Sequence, residues 1–410
     1  MPSTQLEPAL TVRRTAEGKE FIALVTALMA TSALGIDLML PAFGDIRAEF
    51  GMRPDSTSVT WIVTAYFLGM AIGPWLYGPA SDRFGRRRPL LAGLTLYAVS
   101  AALAAVAPTW PLVVVARFLW GVGASGPRTL SVAIIRDRYD GDAMAHLMSV
   151  IMAVFLLVPI VAPSAGAGLI AVLPWQAVFV FPCAVAVGLM VWARRLPETL
   201  PAELRRPLTR RAVAQAAKEV VTHRQTLTLI LGMTMLFGIL STYLGASEGI
   251  VKNTYDLEAW FPLFFGAIGV VLAISSLNNA RLVRRIGVQR LVRRMSIVGV
   301  GAAVCLVALA VATGGKPNFL LFSAVLSVVL ALGQGLSPNS NALAMAPVPH
   351  VAGTASSIIA TVTSGGGAVL GGLAASFGST SVTPFSVALL AYFAVATTLI
   401  LWGTAGRSAG

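Results

Sequence analysis

Apolar segments of about 20 residues recur along this chain from Phe21 to Trp402, and each is long enough to cross a hydrocarbon core of about 30 Å as a helix. In lipid, an open chain satisfies its backbone hydrogen bonds by forming α-helices. The sequence therefore predicts an all-α integral membrane protein.

The hydropathy pattern predicts twelve transmembrane helices. Only 11% of the residues are charged and the mean hydropathy is +0.79, whereas soluble domains have roughly 25% charged residues. The predicted helices are 21–43, 58–78, 89–107, 110–133, 144–171, 175–193, 226–249, 260–280, 289–312, 318–345, 350–376 and 383–404.

A long polar insertion divides these helices into two groups of six. We predict a six-helix bundle over 21–193, a cytoplasmic linker over 194–225 and a second bundle over 226–404, with cytoplasmic tails at 1–20 and 405–410. The halves resemble repeats, because residues 78–85 align with residues 280–287 at the end of the second helix of each half. Many secondary transporters are built from such paired halves, with the substrate site between them near the middle of the membrane.

The membrane topology explains the net charge of +13, so this charge does not indicate a nucleic-acid-binding surface. With the N-terminus inside, most Lys and Arg residues fall in cytoplasmic segments, as is usual for membrane proteins. We therefore expect a multi-pass protein of a bacterial-type cytoplasmic membrane, surrounded by lipid, with both termini inside, no nucleic-acid partner and a monomeric state. Cys183 and Cys305 lie in predicted helices without metal-ligand spacing, so we expect no metal site.

An arginine-rich segment bounded by glycines, residues 78–90, separates the second and third predicted helices. Glycines permit a tight turn, and a carboxylate among arginines can form charge-assisted hydrogen bonds. The segment resembles the loop signature of the major facilitator superfamily, in which this turn latches the cytoplasmic side in the outward-open state. A plain topological anchor is the alternative. The resemblance implies a latch role for Gly78, Asp82, Arg83, Gly85, Arg86 and Arg87, with Asp137 as their partner.

Further segments are similar to drug/proton antiporters of the bicyclomycin- and chloramphenicol-resistance type. They read IDLMLP (36–41), RFLWGVGA (117–124), AIIRD (133–137), VPIVAPSAG (158–166), LPETL (196–200) and APVPHVAG (346–353). The fifth-helix motif of that family, Gly-Pro-x-x-Gly-Gly, is altered here, and Pro159, Pro163 and Gly166 predict a helix that can kink. The resemblance implies a transporter that exports small lipophilic compounds in exchange for protons. Its energy source would be the proton gradient, without a cofactor.

Two charged residues are expected in the outer third of the membrane. Asp37 lies about 24 Å into a helix that starts inside, and Arg117 lies about 10 Å into a helix that starts outside. We hypothesise that Asp37 is the proton-titrating carboxylate, since burial favours its protonated form and Arg117 favours its charged form. A static ion pair between the first and fourth helices is the alternative.

Arg128 follows Arg117 on nearly the same helix face, and the sequence leaves two interpretations open. It either lines an internal cavity or snorkels to the cytoplasmic surface. A cavity position would argue against a purely cationic substrate range. The predicted cavity residues are the proton-coupling pair Asp37 and Arg117 together with Arg128, Tyr66, Trp120, Phe155, Tyr243, Glu248 and Asn339.

The sequence leaves two alternatives to proton-coupled drug export. One is a carrier of the same fold that moves a sugar, a nucleoside or an organic anion by symport or uniport. The other is a polytopic membrane enzyme or sensor. An enzyme would need His, Asp, Ser or Cys residues clustered near one membrane face, and a sensor would need an added soluble domain. The sequence shows neither feature, so we expect neither function and assign no catalytic residue.

Overall fold

The computed structural model describes residues 16–139, 141–201, 203, 217–348, 352–377 and 381–405, and among them it contains helices and turns but no strand. Ten of the described helical stretches are long and apolar enough to cross a membrane. The helix Trp110–Arg136, which contains three arginines, and the 17-residue helix Ala177–Ala193 complete the predicted twelve. Residues 1–15 and 406–410 of the predicted tails, and residues 202 and 204–216 of the predicted linker, lie outside the described residues. Helix α1 begins at Ala16, within the predicted N-terminal tail.

The described helices of the N-terminal half include one short helix beside its six long ones. They are α1 (Ala16–Asp37), α2 (Phe43–Glu49), α3 (Trp61–Phe84), α4 (Arg87–Ala105), α5 (Trp110–Arg136), α6 (Gly141–Val172) and α7 (Ala177–Ala193).

In the described part of the C-terminal half, the eleventh membrane segment is divided by a π-helical stretch at Val362–Gly366. The helices of this half are α8 (Arg224–Gly249), α9 (Phe261–Ile286), α10 (Val288–Ala312), α11 (Phe319–Met345), α12 (Ala352–Thr361), α13 (Gly367–Ala375) and α14 (Val382–Thr404).

The first membrane segment does not run unbroken over 21–43 as predicted. Its helix α1 ends at Asp37, and a 3-10 helix, Leu40–Ala42, leads into α2. Pro41 explains the break, because a proline lacks the N–H of an α-helix and its ring clashes with the carbonyl four residues earlier, here that of Asp37. The backbone around Asp37 is thereby released from regular helical hydrogen bonding.

The second segment is longer than predicted, and the predicted turn role of Gly78 is wrong. Helix α3 continues through Gly78 to Phe84, and Gly85 ends it with a φ of +83°. Gly287 ends α9 in the same way, with a φ of +79°. Because glycine adopts positive φ without steric cost, both halves place their turn at the glycine that ends the aligned segment, Gly85 or Gly287.

The two halves pack alike. In each half the first membrane segment contacts the fifth, the second contacts the fourth and the third contacts the sixth. The halves meet where α6 packs against α9 and where α3 packs against α12 and α13. At the second of these interfaces the Trp75 indole donates to the Thr361 hydroxyl at 2.6 Å, and that hydroxyl donates to the Ala71 carbonyl at 2.7 Å.

Candidate functional site

Asp37 lies at the break that follows α1, and the residue is only 4% exposed. Within the described residues its carboxylate makes no ion pair or hydrogen bond. Its electrostatic neighbours include the hydroxyls of Tyr66, from the N-terminal half, and Tyr243, from the C-terminal half. The break therefore places a buried carboxylate at the junction of the two halves.

Helix α6 holds the break from one side through Gly166. A Cβ atom at Gly166 would overlap the Leu38 carbonyl oxygen, so the close approach of the two backbones requires glycine. Pro159 and Pro163 lie inside α6, which remains helical over its described length. The altered motif thus retains the one glycine that contacts the backbone beside Asp37.

Arg117 is fully buried but does not pair with Asp37, so the static ion pair is not formed in this structure. Its Nη1 donates to the Gly35 carbonyl at 2.9 Å and its Nε donates to the Ile62 carbonyl at 3.3 Å. Gly35 lies in the last turn of α1, where carbonyls lack intrahelical partners and the helix dipole favours a cation. Arg117 therefore caps the helix that Asp37 terminates.

Aromatic rings surround the Arg117 guanidinium. Its Cζ lies 4.5 Å from the ring centroid of Tyr66 and 4.6 Å from that of Trp120. Both side chains are fully buried, and the Tyr66 hydroxyl donates to the Ser32 carbonyl at 2.9 Å. These two predicted cavity residues belong to a packed cluster around Arg117 in this conformation.

Tyr243 and Asn339 are also buried, in the C-terminal half. The Tyr243 ring stacks on Phe265 with a centroid distance of 5.2 Å, and no described residue bonds its hydroxyl. The Asn339 amide donates to Asn279 Oδ1 at 2.8 Å, which joins α11 to α9. Tyr243 therefore presents an unused hydroxyl near Asp37, whereas Asn339 is committed to an amide pair.

Arg128 is exposed, in contrast to Arg117 on the same helix. Its Cζ lies 6.0 Å from the ring centroid of the half-buried Phe155, on α6. Among the described residues it has no ion-pair partner. Among the described residues of the site, Asp37 is therefore a carboxylate, and Arg128 a guanidinium, with neither an ion pair nor a hydrogen bond, whereas Arg117 bonds backbone carbonyls.

The structure places Glu248 in an ion pair with Arg47 and not on an open cavity wall. Nη1 of Arg47 donates to Glu248 Oε1 at 3.0 Å and Nη2 donates to Oε2 at 2.7 Å, while Nε donates to the Ser56 carbonyl at 2.9 Å. The two side chains are 5% and 4% exposed. This pair joins the halves at the end of the bundle that we call the Arg47 end. Since 201 positions separate the two residues, no local sequence signal indicates their pairing.

The opposite end of the bundle, the Arg86 end, carries the predicted latch residues. Arg86 bonds Asp137 Oδ2 through Nε at 2.9 Å and Asp82 Oδ1 through Nη1 at 2.7 Å. Burial lowers the pKa of Arg86, but its bonds to Asp137 and Asp82 outweigh that effect and leave the pKa above its ordinary value. Arg83 is exposed and lies over Phe84, and Arg87 donates to the Arg194 carbonyl. The contacts of these residues link α3, α4, α5 and the segment after α7, all within the N-terminal half.

Glu198 is a member of this network that sequence reasoning missed as a site residue. Its carboxylate accepts from the backbone N–H groups of Arg86 at 2.7 Å and Arg87 at 3.2 Å, which caps α4. Burial raises the pKa of Glu198, but the backbone hydrogen bonds outweigh burial and lower it below the ordinary value of 4.5. A Cβ atom at Gly85 would overlap this carboxylate. The LPETL motif was the available signal, since it places one carboxylate just beyond a membrane helix.

Comparison with known proteins agrees with this architecture. The family model described as Major Facilitator Superfamily matches residues 25–372. The bicyclomycin resistance protein homolog of Haemophilus influenzae is 28% identical over 370 residues, which cover 89% of this chain and 91% of that protein. The multidrug transporter MdfA of Yersinia pestis is 29% identical over 314 residues, with 73% of each chain covered.

Among solved structures, the xylose transporter XylE from E. coli, in a partially occluded inward open conformation, is similar with a TM-score of 0.72. It is 14% identical and the match covers 97% of this chain and 99% of that one, so the likeness concerns the fold. The matched family consists of membrane transporters of small molecules and not of enzymes. From its sequence match and its fold, this multi-pass membrane protein belongs to the Major Facilitator Superfamily.

Proposed function

We propose that this chain exports small lipophilic compounds in exchange for protons, by alternating access and as a monomer. The names of its relatives, a bicyclomycin resistance protein homolog and a multidrug transporter, support drug export. The observation that carries proton exchange is the Asp37 carboxylate, which is buried without a cation at the junction of the halves.

The distribution of arginines supports an orientation in a bacterial-type cytoplasmic membrane. The Arg86 end carries the arginine-rich turns of both halves, so we assign it, together with both termini, to the cytoplasmic side. The Arg47–Glu248 pair then closes the extracellular side, and the described conformation corresponds to an inward-facing state. In this state the latch residues bond within the N-terminal half, consistent with a latch that joins the halves in the outward-open state.

Burial of Asp37 explains how a proton gradient would drive the cycle. A carboxylate without a cation partner is costly to bury in its charged form and is therefore protonated when enclosed. When the extracellular side opens, water reaches the break after α1 and Asp37 takes up a proton from outside. Binding of the exported compound from the cytoplasm favours release of that proton, because both occupy the junction of the halves.

Proton release tests this mechanism. Addition of chloramphenicol to weakly buffered purified protein is expected to release protons, and the Asp37→Asn variant is expected to release none. Asp45→Asn provides the matched control, since Asp45 lies exposed on α2, eight residues beyond Asp37. An Asp37→Asn protein that still releases protons and still performs gradient-driven transport would exclude Asp37 as the proton carrier.

A further inference from the structure

The direction of the Arg128 side chain follows from its place on α5. Arg128 lies nine residues after Leu119, or about 180° around the helix. Leu119, Val115 and Leu112 are exposed apolar residues and mark the lipid-facing side of α5. Arg117, fully buried inside the N-terminal half, lies about 20° from Arg128 on the opposite side. The exposed surface of Arg128 therefore faces a space inside the bundle and not the lipid.

This space lies within the membrane. Arg128 precedes the end of α5 at Arg136 by eight residues, which corresponds to about 12 Å along the helix axis. Val132, about 40° away on the same side, is also exposed. The interior surface of α5 is thus accessible at Arg128 and Val132, and it is closed from Arg128 to Arg117.

Among the described carboxylates of the N-terminal half, Asp37 forms no ion pair or hydrogen bond with Arg128, and three others are bonded elsewhere. Asp82 and Asp137 bond Arg86, and Glu198 caps α4. The hydroxyl of Tyr66, an electrostatic neighbour of Arg128, is bonded to a backbone carbonyl. In the described part of the chain, Arg128 is therefore a cation in an internal space without an anion.

We propose that Arg128 binds an acidic group of the transported compound, so that the substrate class includes amphipathic monoanions; this inference rests on the proposed transport function. A guanidinium offers a planar set of donors that binds a carboxylate through two parallel hydrogen bonds. The Phe155 ring beside it offers a contact for an apolar body. An uncompensated charge within the membrane is costly, so an anionic substrate would be favoured over its neutral analogue.

Two compounds with the same body test the inference. Chloramphenicol is neutral, whereas chloramphenicol succinate carries one added carboxylate. Binding of each to the purified full-length protein is measured for the wild type, Arg128→Gln, Arg128→Lys and Arg136→Gln. Arg136 is the matched control, because it is an exposed arginine in the last turn of the same helix.

We expect the wild type and Arg136→Gln to bind the succinate more tightly than chloramphenicol. Arg128→Gln should weaken succinate binding by roughly 10- to 100-fold, the range for a hydrogen bond to a charged group, and leave chloramphenicol binding nearly unchanged. The affinity of Arg128→Lys for the succinate should lie between those of the wild type and Arg128→Gln, because lysine keeps the charge but not the planar pair of donors. Retained chloramphenicol binding also shows that the variants are folded.

Two results would overturn the inference. One is a wild type that binds the succinate no more tightly than chloramphenicol. The other is an Arg128→Gln substitution that weakens the binding of both compounds equally. Failure of the proposed function looks different, since wild-type proteoliposomes would then show no proton-driven transport of chloramphenicol itself. Transport of chloramphenicol without any preference for the succinate would remove only the anion site.

Discussion

Removing one partner of the Arg47–Glu248 pair is expected to shift the protein towards states in which the Arg47 end is open. The pair is bidentate, its side chains are almost completely buried, and it joins the two halves. Loss of one partner leaves a buried charge without compensation, which costs about 3–5 kcal/mol. Opening that end exposes the remaining charge to water and relieves this cost.

The size of the shift follows from that energy. Each 1.4 kcal/mol is about tenfold in an equilibrium constant, so Arg47→Gln or Glu248→Gln should change the ratio of open to closed forms by roughly two to three and a half orders of magnitude. Thr60 reports on this end, because it is buried and packs near Gly245 of the other half. A cysteine at position 60 in a background without Cys183 and Cys305 should react slowly with a membrane-impermeant maleimide in the parent protein and much faster in either variant.

Glu258→Gln is the matched control for this experiment. Glu258 forms an ion pair with Lys252 at the same end, but both residues belong to the C-terminal half and the pair is partly exposed. Its loss should leave labelling unchanged, while the exchanged pair Arg47→Glu with Glu248→Arg should slow labelling again. Unchanged labelling in Arg47→Gln and Glu248→Gln, or an equal effect of Glu258→Gln, would refute the reasoning.

Two further predictions concern Gly166 and Glu198. Gly166→Ala should lower proton-driven transport in proteoliposomes by at least about tenfold, because the added Cβ forces α6 away from the Leu38 carbonyl. A displacement of about 1 Å is enough for a large loss of activity. Gly168→Ala should be neutral, because a Cβ added there would have no atom of another helix within 4 Å, and equal effects of the two substitutions would contradict this account. Glu198→Gln should destabilise the protein by about 0.5–1 kcal/mol near pH 7, the value of an exposed helix cap. Since the folded-state pKa of Glu198 is lowered, its stabilisation is present above pH 4.5 and is lost as the pH falls through the lowered pKa. Thermal unfolding of both proteins across pH 3–7 checks this, and a stability gap that does not narrow on acidification would refute it.

Several parts of the site were predictable from local sequence. Pro41 offers a local reason for α1 to end at Asp37, because a proline excludes the carbonyl four residues earlier from helical bonding, but our predicted helix continued to residue 43. Once α1 ends there, a buried arginine at the depth of Arg117 has free carbonyls to bond, and Gly35 supplies one. Our prediction of Arg117 beside Asp37 considered charges alone and overlooked these backbone acceptors.

The position of the turn after α3 could not be predicted from hydropathy. Hydropathy marks where the apolar residues of α3 stop, and this point lies near Gly78. The helix itself continues for another six residues to Phe84, since charged residues extend a helix beyond the hydrocarbon without cost. Only backbone conformation distinguishes Gly85, at positive φ, from Gly78 inside the helix.

The sequence by itself determined that this chain crosses the membrane as twelve helices in two related halves, because membrane thickness and backbone hydrogen bonding act on each segment separately. It also indicated Asp37 and the arginine-rich turn, whose charges are conspicuous among apolar residues. Only the tertiary structure decided which charges pair. Arg47 pairs with Glu248, and Arg128 has no partner among the described residues. Both facts depend on how distant helices pack, and packing is a property of the whole bundle.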